Sequence, residues 1–202
     1  MYPPTDSSAA AVAPVTECTE ERIVDAATRV LGANLDASMR EVANASGVGR
    51  ATVYRHFANR DELLRAIRLR ALRDCREALD PDVFAQASVR DALGAVLATL
   101  VPVLDRYRVL LDAAPPDRSD PEQRALTDAI EQPLRELIVR GQSDGELDPH
   151  FPPDFVLAVL IGVLRAAREA VAQGRMSAEA AHALAVRSLL AGIGADTSSP
   201  DH

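Results

Sequence analysis

The segment from Ser38 to Phe57 limits what this chain can fold into more than any other part of its sequence. Ser38 is followed three residues later by Glu41, a capping-box pattern in which each side chain accepts a hydrogen bond from the backbone N–H of the other residue. Gly47 can adopt the positive φ angle that ends a helix abruptly. The segment therefore predicts two short helices joined by a tight turn.

The second of these helices has an apolar back and a polar front. It begins near Gly49, and Val53 and Phe57 lie four residues apart on the face that we expect to be buried. With about 3.6 residues per turn, the opposite face carries Ala51 and Arg55, flanked by Thr52 and Tyr54. A short helix with such a polar front suits the major groove of DNA.

The run GVGRATVYRHFANRDELL, residues 47–64, resembles the helix-turn-helix of the TetR family (tetracycline-repressor-like) of transcriptional regulators. The family pattern is approximately Ala-Gly-Val-Ser, a basic residue, Gly/Ala-Thr-Leu/Val-Tyr, any residue, His/Tyr-Phe, then Lys/Arg and Leu. Gly49 stands where the family commonly has serine, and glycine is only slightly inferior to serine as an N-cap. The resemblance runs through the turn, the second helix and the entry to the next helix.

The side-chain chemistry and the resemblance together predict a DNA-binding surface. Arg50 is suited to fork onto guanine O6 and N7, and Ala51 to approach a thymine methyl group. Neighbouring hydroxyl and imidazole groups suit phosphate contacts, which position a protein without specifying sequence. By resemblance, Arg40 matches a groove-contacting position and Arg60 a phosphate-contacting one. The predicted DNA-binding residues are Ser38, Arg40, Arg50, Ala51, Thr52, Tyr54, Arg55, His56 and Arg60. An ordinary solvated helix surface is the alternative.

Charge is distributed unevenly along the chain. The 202 residues carry a net charge of −8, and every basic residue other than histidine is arginine. Residues 20–76 contain 11 arginines and 8 acidic residues, so this segment carries +3 and the remainder −11. We therefore expect only one part of the molecule to favour phosphate.

Apolar periodicity predicts an all-α fold throughout. Hydrophobic residues make up 48% of the chain and aromatic residues 3%, so the core must be aliphatic. We predict a disordered arm at 1–17, a helix-turn-helix DNA-binding domain at 18–63, a helical effector-binding and dimerisation domain at 64–194, and a disordered tail at 195–202. Individual helices are expected over Thr19–Leu31, over Pro121–Gly141 with a break at Pro133, over Asp154–Gln173 and over Ser177–Gly192.

Targeting, metal and redox signals are weak. Residues 1–17 lack the basic start and apolar centre of a signal peptide, and no apolar run reaches the length of a membrane span, so we expect a cytoplasmic protein with no membrane partner. His56 has no second ligand at metal spacing, and no cofactor motif is found. Cys75 is expected to be a small buried side chain rather than a redox switch.

The last two helices are expected to form a homodimer interface. Small residues interspersed among their apolar side chains permit close helix approach, and the family implied by the resemblance dimerises through this pair as a four-helix interface. A weaker resemblance to the family covers residues 141–166, where a Gly-x-x-x-Gly turn leads into the penultimate helix. The predicted interface residues are Phe155, Val159, Val163, Ala166, Leu184 and Leu189. The alternative for these residues is the internal core of one chain.

An effector pocket is expected among the helices between residues 88 and 173. Pro102 and Pro133 should kink or divide two helices, and a kinked helix leaves space that straight helices would fill. The predicted lining residues are Val96, Leu100, Leu104, Tyr107, Leu137 and Leu160. With so few aromatic residues, the effector is expected to be aliphatic or amphipathic rather than flat and polycyclic. A solid core shaped by the prolines is the alternative.

The sequence and the resemblance lead to one functional expectation. The chain is predicted to be a homodimeric transcriptional regulator, a repressor that a small apolar or amphipathic molecule releases from operator DNA. By resemblance, the effector favours a dimer whose two DNA-binding heads are wrongly spaced. No nucleophile elbow, phosphate loop or paired-carboxylate motif supports an enzyme. The alternative is a helical interaction module of the same fold that has lost operator binding.

Overall fold

A computed structural model describes residues 15–85, 88–107 and 117–194. The predicted tail at 195–202 and most of the predicted arm at 1–17 lie outside these ranges. Within the ranges every regular element is a helix, which confirms the all-α prediction. The helices are α1 (Val15–Ala33), α2 (Met39–Ser46), α3 (Arg50–His56), α4 (Arg60–Ala78), α5 (Pro81–Phe84), α6 (Val89–Arg106), α7 (Pro121–Ser143), α8 (Pro153–Ala172) and α9 (Ala178–Ile193).

The chain divides into two compact units, the first ending at Leu63 and the second beginning at Leu64. In the first unit α1 packs against α2, and α2 against α3. Their apolar faces form a small core whose fully buried side chains include Ile23, Leu31, Val42, Val53 and Leu63. This core fixes the angle between the two short helices of the motif.

Helix α1 is longer than the sequence predicts. It begins at Val15 and ends at Ala33, so it enters the predicted arm by three residues and extends past Leu31 by two. Gly32 lies within the helix, and its φ angle is not in the positive region.

The second unit is built on one aliphatic core. Helix α9 packs against α8 and α6, while α8 also packs against α7 and α6. The core consists almost entirely of valine, leucine, isoleucine and alanine side chains, as the composition predicts. Helices α8 and α9 begin and end within one residue of their predicted bounds, because their apolar periodicity is strong.

Neither proline divides its helix, contrary to the predicted break at Pro133. Helix α6 continues through Pro102 and α7 continues through Pro133. A proline inside a helix removes one backbone hydrogen bond, but apolar side chains beside both prolines are buried, including Leu100 and Val101 in α6 and Leu134 in α7. Burial of these neighbouring side chains offsets the cost of each proline and keeps the helix continuous.

The turn after α7 is hydrogen-bonded to the start of α6 and to the end of α9. The Glu146 carboxylate accepts the Val89 N–H at 3.0 Å and the Arg90 N–H at 3.3 Å, so it caps the first turn of α6 from a distant part of the chain. The Asp148 N–H donates to the carbonyl of Ile193 at 2.9 Å. A search of the described residues for a helix long and apolar enough to cross a membrane finds none.

Candidate nucleic-acid interface and ligand cavity

The turn between α2 and α3 has the geometry that the sequence predicts. The Ser38 N–H donates to the Glu41 carboxylate at 2.7 Å, and the Glu41 N–H donates to the Ser38 hydroxyl at 3.3 Å, which confirms the capping box. Gly47 ends α2 with φ 68°, in the left-handed region that favours glycine. The Arg22 guanidinium donates to the Ser46 carbonyl at 3.1 Å and so ties α1 to the end of α2.

Helix α3 separates its buried and exposed faces as expected. Gly49 is its N-cap, Val53 is fully buried and Phe57, which follows the helix, is 4% exposed. Tyr54 is one of the exposed large side chains, at 40%. The Arg50 guanidinium carbon lies 5.6 Å from the centre of the Tyr54 ring, within the range of a cation–π contact.

The other predicted DNA-binding residues of α2 and α3 also reach the surface. Thr52 and His56 are partly exposed, and the remaining members are exposed: Ser38, Arg40, Ala51 and Arg55. The structure thus brings together on the first unit an accessible set of three arginines, three hydroxyl groups and an imidazole. A protein surface of this chemistry can donate hydrogen bonds to phosphates and to base edges.

Arg60 is placed differently from the rest of the set. Its guanidinium donates to the carbonyl oxygens of Leu35 and Ala37, in the loop between α1 and α2. Those two bonds hold the loop that leads into the capping box at Ser38. The structure therefore shows Arg60 positioning the motif from within the first unit. Sequence reasoning missed this contact because the acceptors are backbone atoms more than twenty residues away.

The second unit contains a partly open cavity of about 290 Å³. Four of the predicted lining residues meet there: Val96, Leu100, Leu104 and Leu160. Helix α4 contributes Leu72 and Cys75 to the wall. The remaining apolar wall is formed by Leu97, Ile130, Leu134, Ile161 and Leu164. A cavity lined so largely by aliphatic side chains suits an apolar ligand body.

The other two predicted pocket residues lie elsewhere in the second unit. Leu137 lines a separate, more open cleft of about 390 Å³ together with Leu79 and Phe84. Tyr107 is 3% exposed, and its hydroxyl donates to the Asp74 carboxylate at 2.5 Å. Burial and this carboxylate raise the pKa of Tyr107. The tyrosine links the end of α6 to α4 without lining the cavity described above.

One wall of the cavity is charged. Glu131 is 8% exposed, and its carboxylate accepts hydrogen bonds from Arg118 at 2.6 Å and from Arg135 at 3.3 Å. Arg118 and Glu131 both line the cavity, as does Thr127, whose hydroxyl donates to the Gln123 carbonyl. Sequence reasoning missed Glu131, although it follows Thr127 by four residues and so lies on the same face of α7.

Cys75 is buried, as expected, at 5% exposure. Burial and, to a smaller extent, the negative charge of Asp74 raise the pKa of its thiol from 9.0 to about 12. The thiol is therefore neutral at physiological pH. Within the described ranges of the chain, no group of three or more metal-ligating side chains is found.

The predicted interface residues of α8 and α9 differ in exposure. Phe155 is 51% exposed and Leu184 is 43% exposed, and the Phe155 ring stacks on Phe151 with centroids 5.8 Å apart. Ala166 is exposed and Val159 and Val163 are partly exposed. Leu189 is 1% exposed and belongs to the core of the single chain. Ile161, which the sequence analysis did not select, is also 41% exposed.

Comparison with known proteins identifies relatives of this chain. The family model described as bacterial regulatory proteins, tetR family, matches residues 23–67. The HTH-type transcriptional repressor LfrR of Mycolicibacterium smegmatis is 30% identical over 160 residues, covering 78% of this chain and 82% of LfrR.

Solved structures show the same fold. LfrR from Mycobacterium smegmatis in complex with proflavine superposes with a TM-score of 0.71 at 26% identity, covering 90% of this chain and 99% of LfrR. FadR from Bacillus subtilis in complex with stearoyl-CoA has a TM-score of 0.70 at 17% identity, covering 86% of this chain and 98% of FadR. At that lower identity the likeness to FadR concerns the fold alone.

Proposed function

Because this chain belongs to the TetR family of bacterial transcriptional regulators, we propose that α3 reads operator DNA and that the aliphatic cavity binds the small molecule to which the regulator responds. The family is one of regulators and not of enzymes. The exposed polar face of α3, backed by the buried Val53, is the observation that carries the proposal for DNA. Since the operator lies in the cytoplasm, the proposal places the protein there.

The proposed division of roles on α2 and α3 follows from chemistry and exposure. Arg50, at the first position of α3, reads a guanine edge, and the Tyr54 ring beside it restricts its guanidinium. Thr52 and His56 bind backbone phosphates, which orient the helix. Arg60 supports the motif through the loop carbonyls that it already binds. Its contribution to DNA binding is therefore indirect.

Selection from random-sequence duplexes tests the DNA-binding proposal. The full chain should enrich one sequence with two related half-sites, because a two-fold symmetric dimer reads a two-fold symmetric site. Arg50→Ala should relax the preference at one base pair in each half-site by about 1–3 kcal/mol.

Thr52→Ala is the matched control on the same helix. It should weaken binding to all sequences alike and leave base preferences unchanged, because a phosphate contact carries no sequence information. Failure of the wild-type chain to enrich any sequence would contradict the proposal and favour a helical interaction module that has lost operator binding.

The proposed response to a ligand is repression that the ligand relieves. Two observations support it: LfrR, the relative described above, is named a repressor, and its structure was solved with proflavine. The cavity of the second unit gives this chain a place for a small molecule. By linkage, a ligand that weakens operator binding must itself bind more weakly, by the same factor, when operator is present.

A homodimer through α8 and α9 completes the proposal. Phe155, Ile161 and Leu184 expose between 41% and 51% of their surface on these helices, although they are large apolar side chains. Exposed large apolar groups on adjacent helices mark an interaction surface. Leu189, by contrast, supports the interface only from within the core.

A further inference from the structure

The charged residues in the cavity wall determine which ligand charge the cavity can accept. Among the described residues that line the cavity, Glu131 is the only acid, and Arg118 is the only base. The two side chains pair at 2.6 Å but differ greatly in side-chain exposure. The Arg118 side chain is 57% exposed, and that of Glu131 is 10% exposed. The carboxylate therefore belongs to the cavity wall, whereas the guanidinium lies where the wall meets solvent.

Arg118 also lies near a second carboxylate, that of Asp128, at the surface. Its Nη1 lies 3.5 Å from the Asp128 carboxylate, which is 61% exposed. An ion pair between solvent-exposed groups is weak, so the Arg118–Asp128 pair contributes little to the free energy of folding. Arg118 can leave Glu131 and remain paired with Asp128. The other Glu131 oxygen keeps its contact with Arg135 at 3.3 Å.

Glu131 cannot give up Arg118 without a replacement. A buried carboxylate that loses one of its two cationic partners incurs a large desolvation penalty in apolar surroundings. From these contacts we infer that the cavity selects an aliphatic amine, whose protonated amino group replaces the Arg118 guanidinium on Glu131. The inference rests on the proposed function, since it takes this cavity as the effector site.

Other ligand charges fit the wall less well. An aliphatic carboxylate could pair with Arg118, but it would draw the guanidinium from Glu131 and place a second negative charge beside the first. A neutral ligand would leave the ion pair intact and gain only apolar contact. A cation exchanges one ion pair for another while its chain fills the aliphatic cavity. No aromatic ring is found among the described lining residues, so Glu131 rather than a π face recognises the charge.

Calorimetric titration of the full chain with three ligands of equal chain length tests the inference. The ligands are octylamine, octanol and octanoate at pH 7, where the amine is protonated. Octylamine should bind several-fold more tightly than octanol, because its ammonium group pairs with the buried Glu131 carboxylate while the displaced Arg118 guanidinium regains solvent and stays beside Asp128. Octanoate should bind no more tightly than octanol.

Three variants test which residue is responsible for the preference for octylamine over octanol. Glu131→Gln keeps the shape of the side chain and should abolish the preference for octylamine while leaving the affinity for octanol within about twofold. Glu136→Gln is the matched control, because Glu136 is an exposed acid on α7 that does not line the cavity. It should leave all three affinities unchanged.

Arg118→Ala keeps the test decisive if Glu131→Gln fails to fold, which circular dichroism would show. Removing the guanidinium removes the competitor for Glu131, so octylamine should bind several-fold more tightly than to wild type. Weaker octylamine binding to this variant, or tighter binding of octanoate than of octylamine to wild type, would overturn the inference.

The outcomes separate this inference from the proposed function. If octanol and octylamine bind equally well and release operator DNA, the inference fails and the effector site stands. If none of the three ligands binds the cavity, both the inference and the cavity's assignment as effector site fail. Operator binding by the first unit is measured independently and is unaffected by either result.

Discussion

At the scale of single residues, Cys75 shows how the second unit alters side-chain chemistry. Its thiol is buried in the wall of an aliphatic cavity, beside the negative charge of Asp74. Both surroundings disfavour the thiolate, which is the reactive form of cysteine. The residue therefore acts as a small apolar side chain at neutral pH, and its charge becomes important only in alkaline solution.

The raised pKa of Cys75 predicts a pH dependence of stability. The folded pKa of about 12 lies above the ordinary value of 9.0, so the thiol's contribution is fully present below pH 9 and is lost as pH rises toward 12. In that window the free energy of unfolding should fall by up to about 1.4 kcal/mol per pH unit on account of Cys75. Urea unfolding at several alkaline pH values measures this slope.

Cys75→Ala isolates the contribution of the thiol. The variant will be less stable near neutral pH, because it leaves a void, but its stability should fall less steeply above pH 9. Tyr107, whose pKa is also raised, remains in both proteins and cancels from the comparison. Equal slopes for the two proteins would mean that the thiol ionises as readily in the folded chain as in the unfolded one.

Local residue patterns were predictable from the sequence, and distant contacts were not. The bonds between Ser38 and Glu41 follow from three residues of separation, and the positive φ of Gly47 follows from its position in the turn. The acceptors of Arg60 and the pairing of Arg118 with Glu131 depend on how separate segments are brought together. No short-range pattern encodes that arrangement.

At the scale of helices, Gly141 determines how closely α7 approaches its neighbours. A Cβ at this position would lie 2.9 Å from side-chain atoms of both Leu147 and Val89. Leu147 and Val89 are fully buried, and Glu146 beside them caps α6. The glycine thus permits the turn after α7, the start of α6 and α7 itself to meet.

Gly141→Ala should destabilise the chain by about 1–3 kcal/mol, because the added methyl group overpacks a buried contact. Gly32→Ala is the matched control, since Gly32 is also helical and a Cβ there would meet nothing within 4 Å. The control should gain up to about 1 kcal/mol from helix propensity. Urea unfolding compares the two, and stabilisation by both substitutions would refute the close packing at Gly141.

Helix ends were predicted well where they depend on local signals, and prolines were misleading. The bounds of α8 and α9 follow from apolar periodicity and from the N-cap Ser177. Pro102 and Pro133 predicted interruptions because the cost of a proline is local. Burial of side chains beside each proline offsets that cost, and burial is a property of the assembled unit.

At the scale of the whole molecule, large apolar side chains remain exposed on α8 and α9. Leu184 and Leu189 lie on the same helix, yet one is 43% exposed and the other 1% exposed. Leu189 therefore belongs to the core of the single chain, whereas Leu184 is available for the proposed dimer interface. Sequence alone grouped the two residues together, because the periodicity of α9 does not distinguish an internal apolar face from an external one.

Leu184→Arg should convert the proposed dimer into a folded monomer, because a charge would then lie within the apolar interface. Leu189→Arg should instead unfold the chain, since it buries the charge in the core. Light scattering gives the mass, to be compared with 21.6 kDa for one chain, and circular dichroism reports helix content. A wild-type protein that is already a folded monomer would rule out the proposed assembly.

Two tyrosines at different places in the chain also provide intrinsic fluorescence signals. The chain has no tryptophan and three tyrosines, so its intrinsic emission comes from phenol groups alone. Tyr54 lies on the exposed face of α3 and Tyr107 is buried at the end of α6, one in each unit. Tyr54→Phe and Tyr107→Phe each remove one of these two signals, so the change in emission that each tyrosine contributes on binding DNA or ligand can be obtained by difference without an added dye.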